Sequence, residues 1–103
     1  MKILFFDSSI EKVLNNFETE IFAKVLRTID LLEKFGWALR MPHSKKINKD
    51  LFELRVYSNP KIRIFYTFYD GDVILLHIFT KKTQRIPTKE LQVAVKRLKQ
   101  MSN

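Results

Sequence analysis

A chain of 103 residues, 46% hydrophobic with nine phenylalanines, is long enough for one modest core, too short for two and too apolar to stay disordered. It has no cysteine, which excludes disulfides, thiol catalysis and cysteine-based zinc sites, and its two histidines, His43 and His77, lack metal-ligand spacing. The net charge of +8 is lopsided, because residues 1–39 carry five Lys or Arg against six acids and residues 40–103 carry fourteen against five. Such asymmetry suits a nucleic-acid face or an acidic protein partner, and equally a solvated basic surface.

The N-terminal MKILFF is a short apolar run cut off by Asp7. It lacks the longer apolar region and cleavage site of a signal peptide, and no run reaches membrane-spanning length, so a cytoplasmic protein is expected. Residues 3–6 read as a first strand. Ser8 followed three residues later by Glu11 fits a capping box, with Ser8 as N-cap of a short helix running to about residue 17. Ile21, Phe22, Val25, Ile29 and Leu32 then recur at helical spacing, and Gly36 follows as the C′ residue. The two helices form a hairpin with one apolar face, suited to covering a sheet.

Residues 37–50 show no sustained period and contain Pro42, so a loop is expected. It is basic, with Arg40, Lys45, Lys46 and Lys49. Phe52, Leu54 and Val56 alternate with Glu53, Arg55 and Tyr57, the period of a strand with one face buried. Ser58-Asn59-Pro60 forms a turn. In the next strand Ile62, Ile64, Tyr66 and Phe68 share one face, and Arg63, Phe65 and Thr67 share the other.

Asp70-Gly71 signals a type I′ turn. With Tyr69 and Asp72 flanking it, the register sets Ile64 opposite His77 and Arg63 opposite Ile78. Residues 73–79 are almost continuously apolar, as in a central strand covered on both faces. A last helix opens at Pro87-Thr88, with Thr88 as N-cap and Glu90 in its first turn. Leu91, Ala94, Val95, Leu98 and Met101 form its apolar stripe, and Lys96, Arg97 and Lys99 lie near the end that favours cations. The expected fold is one α+β domain over residues 1–103. A small antiparallel sheet is covered by an N-terminal helical hairpin and carries a C-terminal helix, in the order β-α-α-β-β-β-α.

Arg55 and Arg63 fall on neighbouring strands, both out of phase with the core positions, so they project from the same face. Two guanidinium groups placed so can share a phosphate through bidentate hydrogen bonds; alternatively they form a cross-strand ion cluster with Glu53. Lys81 and Lys82 close the apolar strand at the rim of that face. Crowded by arginines, a lysine there is a candidate proton-transfer group; alone, a strand-ending Lys pair only blunts aggregation. His77, placed toward the helix-covered side, reads as a core imidazole with one nitrogen satisfied, and His43 as exposed. Tyr57, Tyr66 and Tyr69 read as packing residues that are also able to stack on bases. With only two glycines, a phosphate-cradling loop is excluded.

Over nearly the whole chain, the order LFELRV, IRIFY, HIFTKKT, a proline and a last helix containing AVKR resembles the RelE/HigB-like toxins of type II toxin–antitoxin systems, in the RelE/ParE superfamily and its phage-derived branch. The FG at Phe35-Gly36 and the loop MPHSKKI fit the same pattern. The resemblance implies a RelE-like domain that cuts mRNA on the ribosome without metal or cofactor and is held inactive by an antitoxin, often a helix-turn-helix protein. It implies catalytic roles for Arg63, Arg55, Lys81 and Lys82, and RNA binding by Arg40, Lys45, Lys46, Lys49 and Arg85. Two positions depart from the RelE pattern: residues 88–91 read Thr, Lys, Glu, Leu where a catalytic tyrosine stands, and Glu53 replaces a lysine. A ParE-like inhibitor of DNA gyrase and a non-catalytic basic binding module, for nucleic acid or protein, remain alternatives.

Overall fold

The computed structural model describes residues 1–101. Along the chain run β1 (Ile3–Phe5), α1 (Ser8–Asn15), α2 (Thr19–Phe35), a 3-10 turn (Gly36–Ala38), β2 (Ser44–Lys46), β3 (Phe52–Val56), β4 (Lys61–Tyr69), β5 (Asp72–Lys81) and α3 (Thr88–Met101). The strands form one sheet in the order β1-β5-β4-β3-β2. The α+β class and the succession of helices are as expected, and the sheet differs in two ways. β1 pairs parallel to β5, so the sheet is mixed rather than antiparallel. Part of the basic loop also extends as β2, paired antiparallel with β3. Its Ser44-Lys45-Lys46 carries no apolar alternation, because an edge strand with two exposed lysines needs none.

The sheet separates two cores. On one face α1 and α2 lay Ile10, Leu14, Val25, Ile29 and Leu32 over Leu54, Ile64 and Leu75. On the other, α3 covers Phe65, Leu76 and Phe79 with Ala94, flanked by Leu91, Val95, Leu98 and Met101, so the stripe read from its spacing is the buried one.

The caps shift by one residue from their expected places. Asp7, not Ser8, is the N-cap of α1, and its carboxylate accepts from the Ser9 amide at 2.9 Å. A charged oxygen one residue earlier outcompetes the serine hydroxyl, and Ser8 becomes the first helical residue. At α3 the Pro87 carbonyl accepts from Leu91, which places Thr88 inside the helix rather than at its cap. Gly36 ends α2 as expected, with φ of 50°.

The β4–β5 turn is as expected: Tyr69 pairs with Asp72, with positive φ at Asp70 (52°) and Gly71 (81°). Beyond Tyr66 the ladder slips. Tyr66 pairs with Leu75 but Phe65 pairs with His77, so β5 holds one extra residue, a β-bulge at Leu76. Ile64 therefore lies opposite Ile78 and Arg63 opposite Phe79, each one residue from the expected register. The bulge also moves His77 to the α3 side, where its Nε2 lies 2.8 Å from Glu90 Oε1. Arg97 fills the disrupted ladder, donating to the Leu76 carbonyl at 2.7 Å.

Candidate functional site

Arg55 and Arg63 lie directly opposite one another across the β3–β4 pair, on the α3 side of the sheet, as their phase required. Between them sits Glu53. Its Oε1 is 3.0 Å from Arg55 Nε and its Oε2 is 3.9 Å from Arg63 Nε. Of the two arrangements the pattern allowed, the cross-strand ion cluster is the one present, and Arg63 is not open to a shared phosphate. Arg63 is only 4% exposed and Glu53 is fully buried. Hydrophobic cross-strand neighbours explain this: Phe65, Phe79 and the α3 stripe wall that side of the sheet.

The cluster is incompletely satisfied. Glu53 Oε2 and Arg63 Nε are buried and face each other beyond hydrogen-bond distance, each without a hydrogen bond. Arg63 NH1 donates only to the carbonyl of Ile62, at 3.3 Å. Burial pushes the Arg63 guanidinium below the ordinary arginine range; Glu53 opposes this and Arg55 adds to it. For Arg55 burial acts downward too, but the hydrogen bond and charge of Glu53, with help from Tyr57, raise it on balance.

Lys81 ends β5 opposite Lys61. Burial lowers its pKa, and the charges of Arg63, Arg55 and Lys61 push the same way against Glu53. Lys82 is exposed, and with Lys61 and Lys81 it lines a cleft of about 590 Å³ that also includes Asn59 and Gln84. Arg55, Arg63, Lys81 and Lys82 thus gather at one end of the sheet, in two tiers: a buried Arg63–Glu53 pair and an accessible rim. Lys61 belongs to that rim. The strand alternation carried the signal for it, since Lys61 shares phase with Arg63.

The other expected RNA contacts divide. Arg40, Lys45, Lys46 and Lys49 line one groove of about 520 Å³ together with Trp37 and Phe52. Arg85 is exposed in the segment before α3, away from the groove lining; it follows Gln84 at the edge of the cleft, and its carbonyl accepts from Thr83 at 2.8 Å. His43 is half-buried rather than exposed, beside Tyr57 at 6.5 Å between ring centroids. Among the described residues no three His, Asp or Glu side chains come together as metal ligands. No helix among them is long and apolar enough to cross a membrane.

The chain is thus a basic α+β domain with a mixed five-stranded sheet and a group of cations at one sheet end. Residues 12–99 match the family described as Phage derived protein Gp49-like (DUF891), and the chain belongs to that family. The family is associated with the toxins of toxin–antitoxin systems, and a toxin-like role is compatible with the match. No curated protein matches the chain.

Proposed function

We propose that this chain is the toxin of a type II toxin–antitoxin pair, of the RelE/HigB-like kind, and that it cuts mRNA on the ribosome. The observation that carries the reading is the Arg63–Glu53 pair. An arginine at 4% exposure, 3.9 Å from its carboxylate and without a hydrogen bond at Nε, is a poor way to gain stability. Buried charge left without full hydrogen bonding concentrates where chemistry is done.

RNA can be cut by its own 2′-hydroxyl. The 2′-oxygen attacks the adjacent phosphorus, the 5′-oxygen leaves, and one proton is removed from the first and one supplied to the second. Arg55, half-buried beside the rim, stabilises charge on the phosphorane, and Arg63 positions Arg55 through Glu53. Lys81, with its lowered pKa, takes the 2′-hydroxyl proton; such a group contributes about 10²–10⁴-fold. Lys61 and Lys82 hold the flanking phosphates. The cognate antitoxin, a helix-turn-helix protein on this reading, covers the cleft.

A second reading, a non-catalytic binding module, is favoured by Glu53 standing between the arginines. Primer extension on cellular mRNA after induced expression separates the two. In-frame cuts that disappear in Arg55→Ala and Lys81→Ala support the nuclease. Growth arrest without mRNA cuts points to binding alone, or to gyrase if DNA damage accompanies it.

A further inference from the structure

Trp37 is 62% exposed, more than any other large hydrophobic side chain among the described residues, and it is the chain's one tryptophan. Gly36, at φ of 50°, breaks α2 into the 3-10 turn that presents it. One face of the indole is already occupied: it stacks on Phe68 with centroids 3.6 Å apart and planes 25° apart. Phe68 in turn meets Phe52 and Tyr66 edge-on at 5.1 and 5.7 Å. Tyr66 is fully buried and hydrogen-bonded to Ser44 of the edge strand. A ladder of rings therefore holds the indole rigidly, and its exposure belongs to the opposite face.

The surroundings of that open face have one sign. Arg40, Lys45, Lys46 and Lys49 line the same groove, and none of the described residues lining it is acidic. Lys46 Nζ lies 5.9 Å over the Phe52 ring, which keeps its charge within the groove. A flat ring amid four cations fits a ligand that alternates π-faces with phosphates, and that is single-stranded RNA. A duplex keeps its bases stacked inside, and an acidic peptide uses the cations without needing the ring face.

We infer that Trp37 is the base-stacking platform of a single-stranded RNA subsite, with Arg40, Lys46 and Lys49 on the neighbouring phosphates. The inference rests on the RNA-cutting reading and gives it a second point of contact. β2 joins the two places. Ser44 and Lys46 pair with Leu54 and Phe52 on the groove side, and Lys45 pairs with Glu53 on the arginine side. A strand of RNA crossing this edge meets both.

Because the chain has one tryptophan, its fluorescence reports the subsite directly. The probe is a short 2′-O-methyl oligonucleotide, which lacks the attacking hydroxyl and so separates binding from cutting. Stacking quenches Trp37, and Trp37→Leu weakens binding by roughly 5- to 100-fold, followed with a labelled oligonucleotide. An abasic oligonucleotide of equal length shows neither effect. Lys46→Gln lowers the salt slope by about one phosphate contact and Trp37→Leu leaves it unchanged. Trp37→Leu gives up the stack on Phe68, about 0.5–1.5 kcal/mol, so its thermal midpoint should fall by only a few degrees, and a cooperative melt shows that the variant is folded.

Equal binding of the abasic probe, with no loss in Trp37→Leu, overturns the inference in favour of charge alone. Quenching by poly-glutamate but not by RNA overturns it in favour of a protein partner. If RNA binds through Trp37 but wild-type protein cuts no mRNA on ribosomes, the subsite stands and the nuclease reading falls. If Trp37→Leu cuts normally and RNA never quenches, the reverse holds.

Discussion

Glu53→Gln tests the buried cluster directly, because it removes charge while nearly preserving volume. Glu53 is fully buried and Arg63 is 4% exposed, so without the carboxylate the Arg63 guanidinium is left desolvated and uncompensated. Arg55 loses the same partner at 3.0 Å, but its side chain keeps 20% of its surface in water and recovers part of the loss there. Breaking a buried ion pair from one side costs about 3–5 kcal/mol. For a domain near 100 residues each kcal/mol moves the thermal midpoint by about 4 °C, so a fall of about 12–20 °C is expected. Arg63→Met alone should also destabilise, by stranding the carboxylate. The double variant Glu53→Gln/Arg63→Met should cost much less than the two together, since no buried charge then remains unpaired there. Circular dichroism melts at neutral pH, backed by urea titration, measure all four proteins. A midpoint within about 4 °C of wild type in Glu53→Gln, or strict additivity in the cycle, would show that Arg63 is not held by Glu53, and the two-tier site would fail with it.

Three further outcomes follow from other elements. Burial, aided by Arg63, holds Lys81 below the ordinary lysine value of about 10.4, so cleavage of ribosome-bound mRNA should rise with pH and level off below that value; a flat profile, or one unchanged in Lys81→Arg, refutes its role as a base. Asp7→Ala should cost about 1 kcal/mol at neutral pH through loss of the α1 cap. The Ser9 hydroxyl holds the Asp7 carboxyl below its ordinary range, so this difference is full above about pH 4 and fades as pH falls through the folded value; urea titration at pH 7 and pH 2.5 checks it. Arg97→Leu strips the Leu76 carbonyl of a charged donor at 2.7 Å and should cost about 1.5–3 kcal/mol, with faster amide exchange confined to the middle of β5 and the start of α1. Unchanged protection there would mean that the bulge holds itself.

Much of this architecture is legible in local pattern. The stripe from Leu91 to Met101, the alternation of Phe52, Leu54 and Val56, and the Asp70-Gly71 turn each follow from a period or a backbone requirement that the residues state by themselves. What escapes is set by partners distant in sequence. β2 exists because β3 offers it an unpaired edge, not because Ser44-Lys45-Lys46 favours a strand. The parallel pairing of β1 with β5 depends on how α1 and α2 return the chain. At the site, alternation places Arg55 and Arg63 on one face, yet it is silent about depth. Only α3 and the aromatic wall decide that Arg63 is sealed and that Glu53, rather than a ligand, lies between the arginines. Arg97 looks like a cation at a helix end until the bulge supplies the carbonyl that it caps.

The bulge is what assembles the basic end of the sheet. Val73 and Leu75 face the α1–α2 side, so an unbroken strand would send positions 77, 79 and 81 to that side as well. The extra residue at Leu76 reverses the phase: Ile78 packs with the α1–α2 core, Phe79 packs under α3, and Lys81 emerges on the face of Arg55 and Arg63. A regular ladder would have put Lys81 on the α1–α2 face, with the sheet itself between it and the arginines. The electrostatic push of Arg63 on Lys81 therefore depends on one irregular residue near the middle of β5, held by Arg97 from α3, with the same guanidinium reaching Ser9 of α1. Stability alone does not call for a bulge in an otherwise apolar strand, and such irregularities cluster where a side chain must be re-aimed. On the proposed nuclease reading, the side chain re-aimed is the lysine that takes the 2′-hydroxyl proton.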